Sequence, residues 1–335
     1  MEEDLILAKA ILVSGGAVRL PEGYRPPTRY SRSTAGPGAG KGSLAFSFHG
    51  MRIKKAISDE GEFLYDPDKR TLTRNGDVIA DDVDIIQVGF HCPEQAFFNL
   101  DQRCRFNCLF CSSPLLKNDA TRNVSGENIA KMIRESRSQI RSIALTSGIR
   151  DSVPESAERM IDCVSYLRKE FPDMPIGVEP YVDDIPQIDR LHEAGATEIK
   201  INLETATDGL FKTVCPMLDR DNIFKMLAHS VGSFGKGKVS SNIIVGLGET
   251  DDDMKDIIER LCSMGVTPTV RGLRINDDVK GALSKEGINE QPSPDRLVRL
   301  AKLQKEIMGR YGLGNSFETM CMRCTCCDLV PFIDL

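Results

Sequence analysis

The stretch AFFNLDQRCRFNCLFC, residues 96–111, begins as an apolar strand and ends in a loop carrying Cys104, Cys108 and Cys111 at spacing C-x3-C-x2-C. Its continuation decides the fold. GENIAKMIRESRSQ reads as a helix and SIALTSG (142–148) as a strand. The same alternation continues through ESAERMIDCVSYLRKEF, PIGVEPY, IPQIDRLHEAG, TEIKINLET, RDNIFKMLAHSVGSFG, KVSSNIIVGLGE, TDDDMKDIIERLCSMG and VTPTVRGLRIN to the helical SPDRLVRLAKLQKEIMGRYG. Six successive βα units imply a parallel sheet with right-handed crossovers. Six fall short of a closed eight-stranded barrel. The expected fold is therefore α/β, a partial (βα)6 TIM-like barrel with its chemistry at the C-terminal strand ends. The cysteine loop comes directly after the first of those strands.

Upstream, LAFSFHG, GEFLYD, RTLTRNGDVIA and VDIIQVGF alternate apolar and polar residues, with Asn75-Gly76 as a hairpin turn. They predict a small antiparallel sheet. YSRSTAGPGAGKGS reads as a flexible or cluster-covering loop. A phosphate loop is rejected, because Ala35 stands where the motif needs its first Gly and Gly42 where it needs Ser or Thr. The expected division is a β-rich N-terminal extension (1–90), the barrel (91–312) and a Cys-rich tail (313–335).

The 335 residues are 41% hydrophobic, enough for a sizeable core, and carry a net charge of −6. No long Lys/Arg block marks a nucleic-acid surface. No run of about 18 apolar residues spans a membrane, and the acidic start does not read as a signal peptide. A cytoplasmic protein is expected.

Eleven cysteines in a reducing compartment are poor candidates for disulfides. Cys92, Cys163, Cys215 and Cys262 are scattered and read as small buried hydrophobes. With only four His, thiolate-rich centres (zinc or iron–sulfur) are favoured over imidazole sites. Three thiolates can hold three irons of a 4Fe–4S cluster and leave the fourth open for a ligand; a zinc knuckle is the bland alternative. The tail, CMRCTCCDL (321–329), adds Cys321, Cys324, Cys326 and Cys327. An auxiliary iron–sulfur cluster is expected there, against a structural zinc or a labile reducing tail. Neighbours in an extended chain point oppositely, so the expected ligands are Cys321, Cys324 and one of Cys326 and Cys327. A fourth would come from elsewhere, such as a Ser or Cys of the N-terminal region.

The C-x3-C-x2-C loop after the first strand, with Phe110 before its last Cys, resembles the radical S-adenosylmethionine (SAM) superfamily. The resemblance implies that the open iron binds the amine and carboxylate of SAM, which is cleaved to methionine and a 5′-deoxyadenosyl radical. It further implies that Thr146, Ser147 and Gly148 meet the SAM amine. NIIVGLGE (242–249) resembles the family's G-x-I-x-G-x-x-E element, with Asn242 in place of its first Gly. Ile244, Gly246 and Glu249 carry over, and Ile244 would pack on the adenine. GLGET (246–250) and NLET (202–205) look like biotin synthase. Glu204 would bind the ribose or the methionine amine, unless it is a surface carboxylate capping the next helix.

The likeness covers about residues 96–310, and residues 1–90 do not match biotin synthase itself. In biotin synthase-like and lipoyl synthase-like enzymes an auxiliary cluster is the sulfur donor. SRST (31–34) is similar to an Arg-Ser-Ser segment of lipoyl synthase whose Ser ligates that cluster. Together these parts resemble a component of the archaeal two-component lipoyl synthase. The implied partners are a second radical SAM subunit, an octanoyl-lysine or lipoyl domain, and an electron donor such as ferredoxin. A radical mutase or lyase of the same branch is the alternative reaction, and a scaffold or electron relay the non-enzymatic one. No cobalamin-binding domain can be read.

Overall fold

The computed structural model describes residues 2–32, 42–116, 124–136 and 139–335. Ser33 and Thr34 of the SRST segment lie outside them. The chain opens with a helix that its apolar pattern does not announce, α1 (Glu2–Ser14). Two small sheets come next. One pairs β1 (Val18–Arg19) with β5 (Phe63–Asp66), β6 (Thr71–Arg74) and β7 (Asp77–Ala80). The other joins β2 (Ser31–Arg32), β3 (Gly42–Phe48), β4 (Met51–Ala56) and β8 (Asp84–Ile86). Both are largely antiparallel, as the alternating pattern predicts. The exception is β1, which runs parallel to β5.

The barrel strands are β9 (Gln95–Asn99), β10 (Ser142–Thr146), β11 (Ile176–Glu179), β12 (Glu198–Lys200), β13 (Val239–Val245) and β14 (Thr267–Gly272). They form one six-stranded parallel sheet in chain order. Between and after them lie α2 (Gly126–Arg134), α3 (Val153–Glu170), α4 (Ile185–Glu193), α5 (Asp208–Val214), α6 (Arg220–Phe234), α7 (Asp251–Ser263), α8 (Asp277–Lys285) and α9 (Pro294–Arg310). Every residue of β13 is buried, as expected of a parallel strand covered on both faces. The helices start where the sequence supplies caps. Ser125, Ser152, Asp219 and Ser293 each accept a first-turn backbone N–H, and Thr250 forms a capping box with Asp253. Helix α2 buries Ile129, Ala130 and Ile133, the one-sided spacing that packs a helix onto a sheet.

The tail closes the base of this barrel. Gln95 and Glu198 are the first residues of β9 and β12. The Glu198 carboxylate accepts the Thr319 backbone N–H (3.0 Å) and its hydroxyl (2.5 Å), and the Gln95 side chain accepts the Met320 N–H (2.6 Å). Gly177 in β11 leaves the room: a Cβ there would stand 2.0 Å from Thr319 Oγ1. The short helix α10 (Met320–Cys324) therefore plugs the N-terminal end of the strands. The N-terminal extension grips the plug from outside. Buried Lys9 donates to the Thr325 carbonyl (2.7 Å) and pairs with Asp334 (2.6 Å). The Lys54 N–H donates to the Cys326 carbonyl (2.8 Å). Arg274 bridges the Val13 and Cys327 carbonyls at 3.0 and 2.6 Å. One apolar core runs from Ile6 through the barrel to Val330, so the three expected segments are packed as one body.

Candidate active site

At the opposite end, β9 runs into the cysteine loop, and the loop is zipped to the end of β10. Leu100 donates to Thr146 O (2.8 Å), Gly148 to Asp101 O (2.7 Å) and Arg105 to Ile149 O (2.7 Å). The Ile149 N–H faces Cys104 Sγ at 3.5 Å. Gly148 is required by contact: a Cβ would stand 2.2 Å from the Arg103 carbonyl oxygen. Thr146 Oγ1 donates to the Glu179 carbonyl at 3.3 Å, and Ser147 Oγ to Gly148 O at 2.9 Å. Asp101 is 2% exposed and anchors the loop. Its carboxylate accepts the Arg103 N–H at 3.0 Å and pairs with Arg150 and Arg159, each at 3.3 Å.

Cys104, Cys108 and Cys111 are partly buried in this loop, and Phe110 packs against the core beside them. Burial pushes the Cys104 and Cys111 thiols up, and a bound metal reverses that preference by favouring the thiolate. Cys215, taken from sequence as a plain buried hydrophobe, is buried but lies against Cys108. A hydrogen bond from that pairing, then burial, raises the Cys215 thiol.

The residues expected around SAM flank the same end. Glu204 lies just beyond β12 with φ +67° and exchanges backbone hydrogen bonds with β13, its N–H to Asn242 O (2.9 Å) and its carbonyl from Ile244 N (2.8 Å). It does not cap the next helix, since Thr207 caps α5. Ile244 is buried. Gly246 has φ +106°, and a Cβ there would stand 3.0 Å from Pro292 Cδ. The Glu249 carboxylate holds this turn, accepting the Gly246 and Leu247 N–H groups at 2.8 and 2.9 Å and pairing with Arg296 at 3.0 Å.

Between the two ends the lumen is polar. Buried Lys200 pairs with Glu179 at 3.2 Å, and Asn202 donates to the same carboxylate at 2.8 Å. Lys200 Nζ and Arg271 Nη1 each lie 3.6 Å from Cys321 Sγ, and Arg271 pairs with Asp328 at 2.9 Å. The structure thus divides the tail thiols. Cys321 looks into the lumen, whereas Cys324 and Cys326 pack with Cys92. Sequence reasoning missed Lys200, Arg271, Asp101 and Cys92. For the first two a signal existed: a Lys in TEIKINLET and an Arg in VTPTVRGLRIN are charges in strands otherwise buried. A surface cleft of about 430 Å³, lined by residues such as Ser47, His49, Arg52 and Glu94, lies on the extension and holds none of these groups.

Residues 99–261 match the Radical SAM superfamily. This segment is a radical SAM domain. Lipoyl synthase of Buchnera aphidicola subsp. Schizaphis graminum is 25% identical over 183 residues, 53% of this chain and 56% of that protein. Lipoyl synthase of Methylobacillus flagellatus is 29% identical over 185 residues, 52% of this chain and 54% of that protein. The chain thus spans about half the length of these curated relatives. Among solved structures, methylornithine synthase (PylB) superposes with a TM-score of 0.51 at 14% identity, over 66% of this chain and 70% of that one. HydG, a maturase of the FeFe-hydrogenase, gives 0.51 at 13% identity, over 67% and 51%. These two establish the fold alone. No helix among the described residues is long and apolar enough to cross a membrane.

A radical SAM domain implies a 4Fe–4S cluster and SAM. The loop fits the cluster by its donor set: three partly buried thiols, at the strand end where a barrel places its chemistry. Among the described residues no three His, Cys, Asp or Glu gather around one point as a single ion requires. A cubane spreads its thiolates over separate irons and does not need that.

Glu204 makes the radical SAM domain pH-sensitive. Burial, reinforced by the neighbouring Glu179, pushes its carboxyl up to about 7 from the ordinary 4.5. Between those values the folded chain keeps a proton that the unfolded chain has released, so stability falls as pH rises through the window. At about 1.4 kcal/mol per unit, the loss is a few kcal/mol. Glu204→Gln removes this dependence. Its melting temperature should fall less than that of the unsubstituted protein between about pH 5 and pH 8; equal falls would reject the assignment.

Proposed function

We propose that this radical SAM enzyme inserts sulfur from an auxiliary iron–sulfur cluster into an unactivated C–H bond, as a component of lipoyl synthesis. The supporting observation is two groups of thiols at opposite ends of one barrel. Cys104, Cys108 and Cys111 follow the C-terminal end of β9, Cys324 and Cys326 pack with Cys92 ahead of its N-terminal end, and Cys321 lies apart from both beside Lys200 and Arg271. Strand β9 (Gln95–Asn99), which runs between the two groups, spans roughly 13 Å at about 3.3 Å per residue. The lipoyl synthase relatives favour this reading over a mutase or lyase.

When bound, the first cluster and SAM supply a 5′-deoxyadenosyl radical that removes hydrogen from carbon. The chain's own residues orient that chemistry. Thr146, Ser147 and Gly148 fix the cysteine loop and present backbone to the SAM amine. Ile244 and Gly246 receive the adenine, and Glu204 the ribose or amine. The partners in this proposal are a second radical SAM subunit, an octanoyl-lysine acceptor and a ferredoxin-like donor.

The test is product analysis. The reconstituted enzyme, with reductant, SAM, an octanoyl-lysine peptide and the partner subunit where one is encoded nearby, should yield peptide carrying new C–S bonds. Replacing Cys324 and Cys326 by Ala should abolish that product while SAM is still cleaved. Sulfur-containing product from that double variant would exclude the tail as donor, and a rearranged or cleaved product without sulfur would select the mutase or lyase.

A further inference from the structure

We infer that Cys92, a residue outside the tail, ligates the auxiliary cluster together with Cys324 and Cys326, and that Cys321 does not. The inference rests on the auxiliary-cluster reading above and changes its ligand set.

The first observation is a nest of thiols. Cys92 lies three residues before Gln95, at the foot of β9, where the two residues form an isolated β-bridge. Cys92, Cys324 and Cys326 are 4%, 4% and 1% exposed and pack together with Phe97, apart from the main core. Side-chain hydrogen bonds join Cys92 to Cys324 and Cys324 to Cys326. Between the two tail cysteines Thr325 is left-handed, with φ 58° and ψ 8°, a conformation uncommon outside glycine. Lys9 holds that turn through the Thr325 carbonyl. The chain therefore maintains an unfavourable backbone geometry beside its buried thiols.

The second observation is a buried cation without an anion. Lys54 is 1% exposed. Its Nζ donates to Ser31 Oγ at 3.1 Å, His91 Nδ1 at 3.1 Å and the His91 carbonyl at 2.9 Å, all neutral acceptors. Among the described residues no carboxylate pairs with it. A buried ammonium costs several kcal/mol unless a negative charge lies nearby. Thiolates of the adjoining nest, the form in which cysteine binds metal, would supply that charge. Residues adjoining the nest bind Lys54 on two sides, through His91, next to Cys92, and through the Lys54 N–H to Cys326 O. Cys321 stands outside the nest, and the cations near it already have carboxylate partners, Lys200 with Glu179 and Arg271 with Asp328. It is only partly buried, and its sulfur faces the cations Lys200 and Arg271 in the lumen.

The experiment isolates the second site by removing the first. The full chain with Cys104, Cys108 and Cys111 all replaced by Ala is reconstituted anaerobically with iron and sulfide. It should retain about four irons and four sulfides per chain, with cluster absorption in the visible. Adding Cys92→Ala should reduce this at least fivefold, and Cys326→Ala should do the same. Adding Cys321→Ala should leave it unchanged. Circular dichroism identifies any variant that fails to fold, and the remaining one of the Cys92 and Cys326 pair then carries the test. Full iron with Cys92→Ala, lost iron with Cys321→Ala, or zinc in place of iron would each overturn the inference. Failure of the sulfur-insertion reading shows separately, as a fully loaded enzyme that forms no C–S product.

Discussion

Cys108→Ala should form no 5′-deoxyadenosine from SAM under reducing conditions. The substitution removes one of three thiolates, and a cluster lacking one protein ligand loses the geometry that leaves a single iron open. The loop offers no replacement on its own strand. It does offer Cys215, hydrogen-bonded to Cys108 from the end of α5. The paired control is therefore Cys215→Ala, which should keep its iron and most of its activity. If Cys215→Ala is as inactive as Cys108→Ala, the ligand set includes Cys215, and the resemblance has assigned the site wrongly. Chromatographic measurement of 5′-deoxyadenosine, with iron content alongside, reads both outcomes.

Lys9→Met should destabilise the protein by about 3–5 kcal/mol, the cost of leaving a buried partner charge unpaired. Lys9 is fully buried, and its ammonium lies 2.6 Å from Asp334 and 2.7 Å from the Thr325 carbonyl. Asp334 also accepts the Val330 N–H at 2.7 Å, so the orphaned carboxylate would sit inside the tail's own turn. Replacing both partners, Lys9→Met with Asp334→Leu, should recover a large part of the loss, because apolar groups of similar volume can substitute for a buried ion pair. Urea unfolding of the two single variants and the double variant measures the coupling. Additive losses would mean that the pair does not act as a unit.

The barrel was legible because each βα unit announces itself locally. The strands are short apolar runs, and helices start behind Ser, Asp or Thr caps. The cysteine loop was legible for the same reason, since its three thiols sit within eight residues. The features that escaped depend on contacts distant in sequence. Helix α1 has apolar residues on every side, LILAKAILV, so it shows no one-sided period. Most of it is covered, although Leu7 is exposed, and Lys9 is buried in its middle. The parallel β1–β5 pair needs a long connection that turn signals do not mark. Cys92 looked like an isolated hydrophobe because its partners lie more than 230 residues away. The C-x2-C spacing of Cys321 and Cys324 suggested shared ligation. That spacing is blind to Lys200 and Arg271, which draw the first sulfur into the lumen.

The joint between Lys9 and Asp334 also sets an order of events. The barrel sheet is built from pairings between successive strands, which close short loops and form early. The joint links residues 325 positions apart, and such a contact forms late. During the interval the barrel has walls but no floor. In that interval the turn between Cys324 and Cys326 lacks the Lys9 ammonium that holds the Thr325 carbonyl in the finished protein. The lock on the thiol nest is thus the last part of the fold to close.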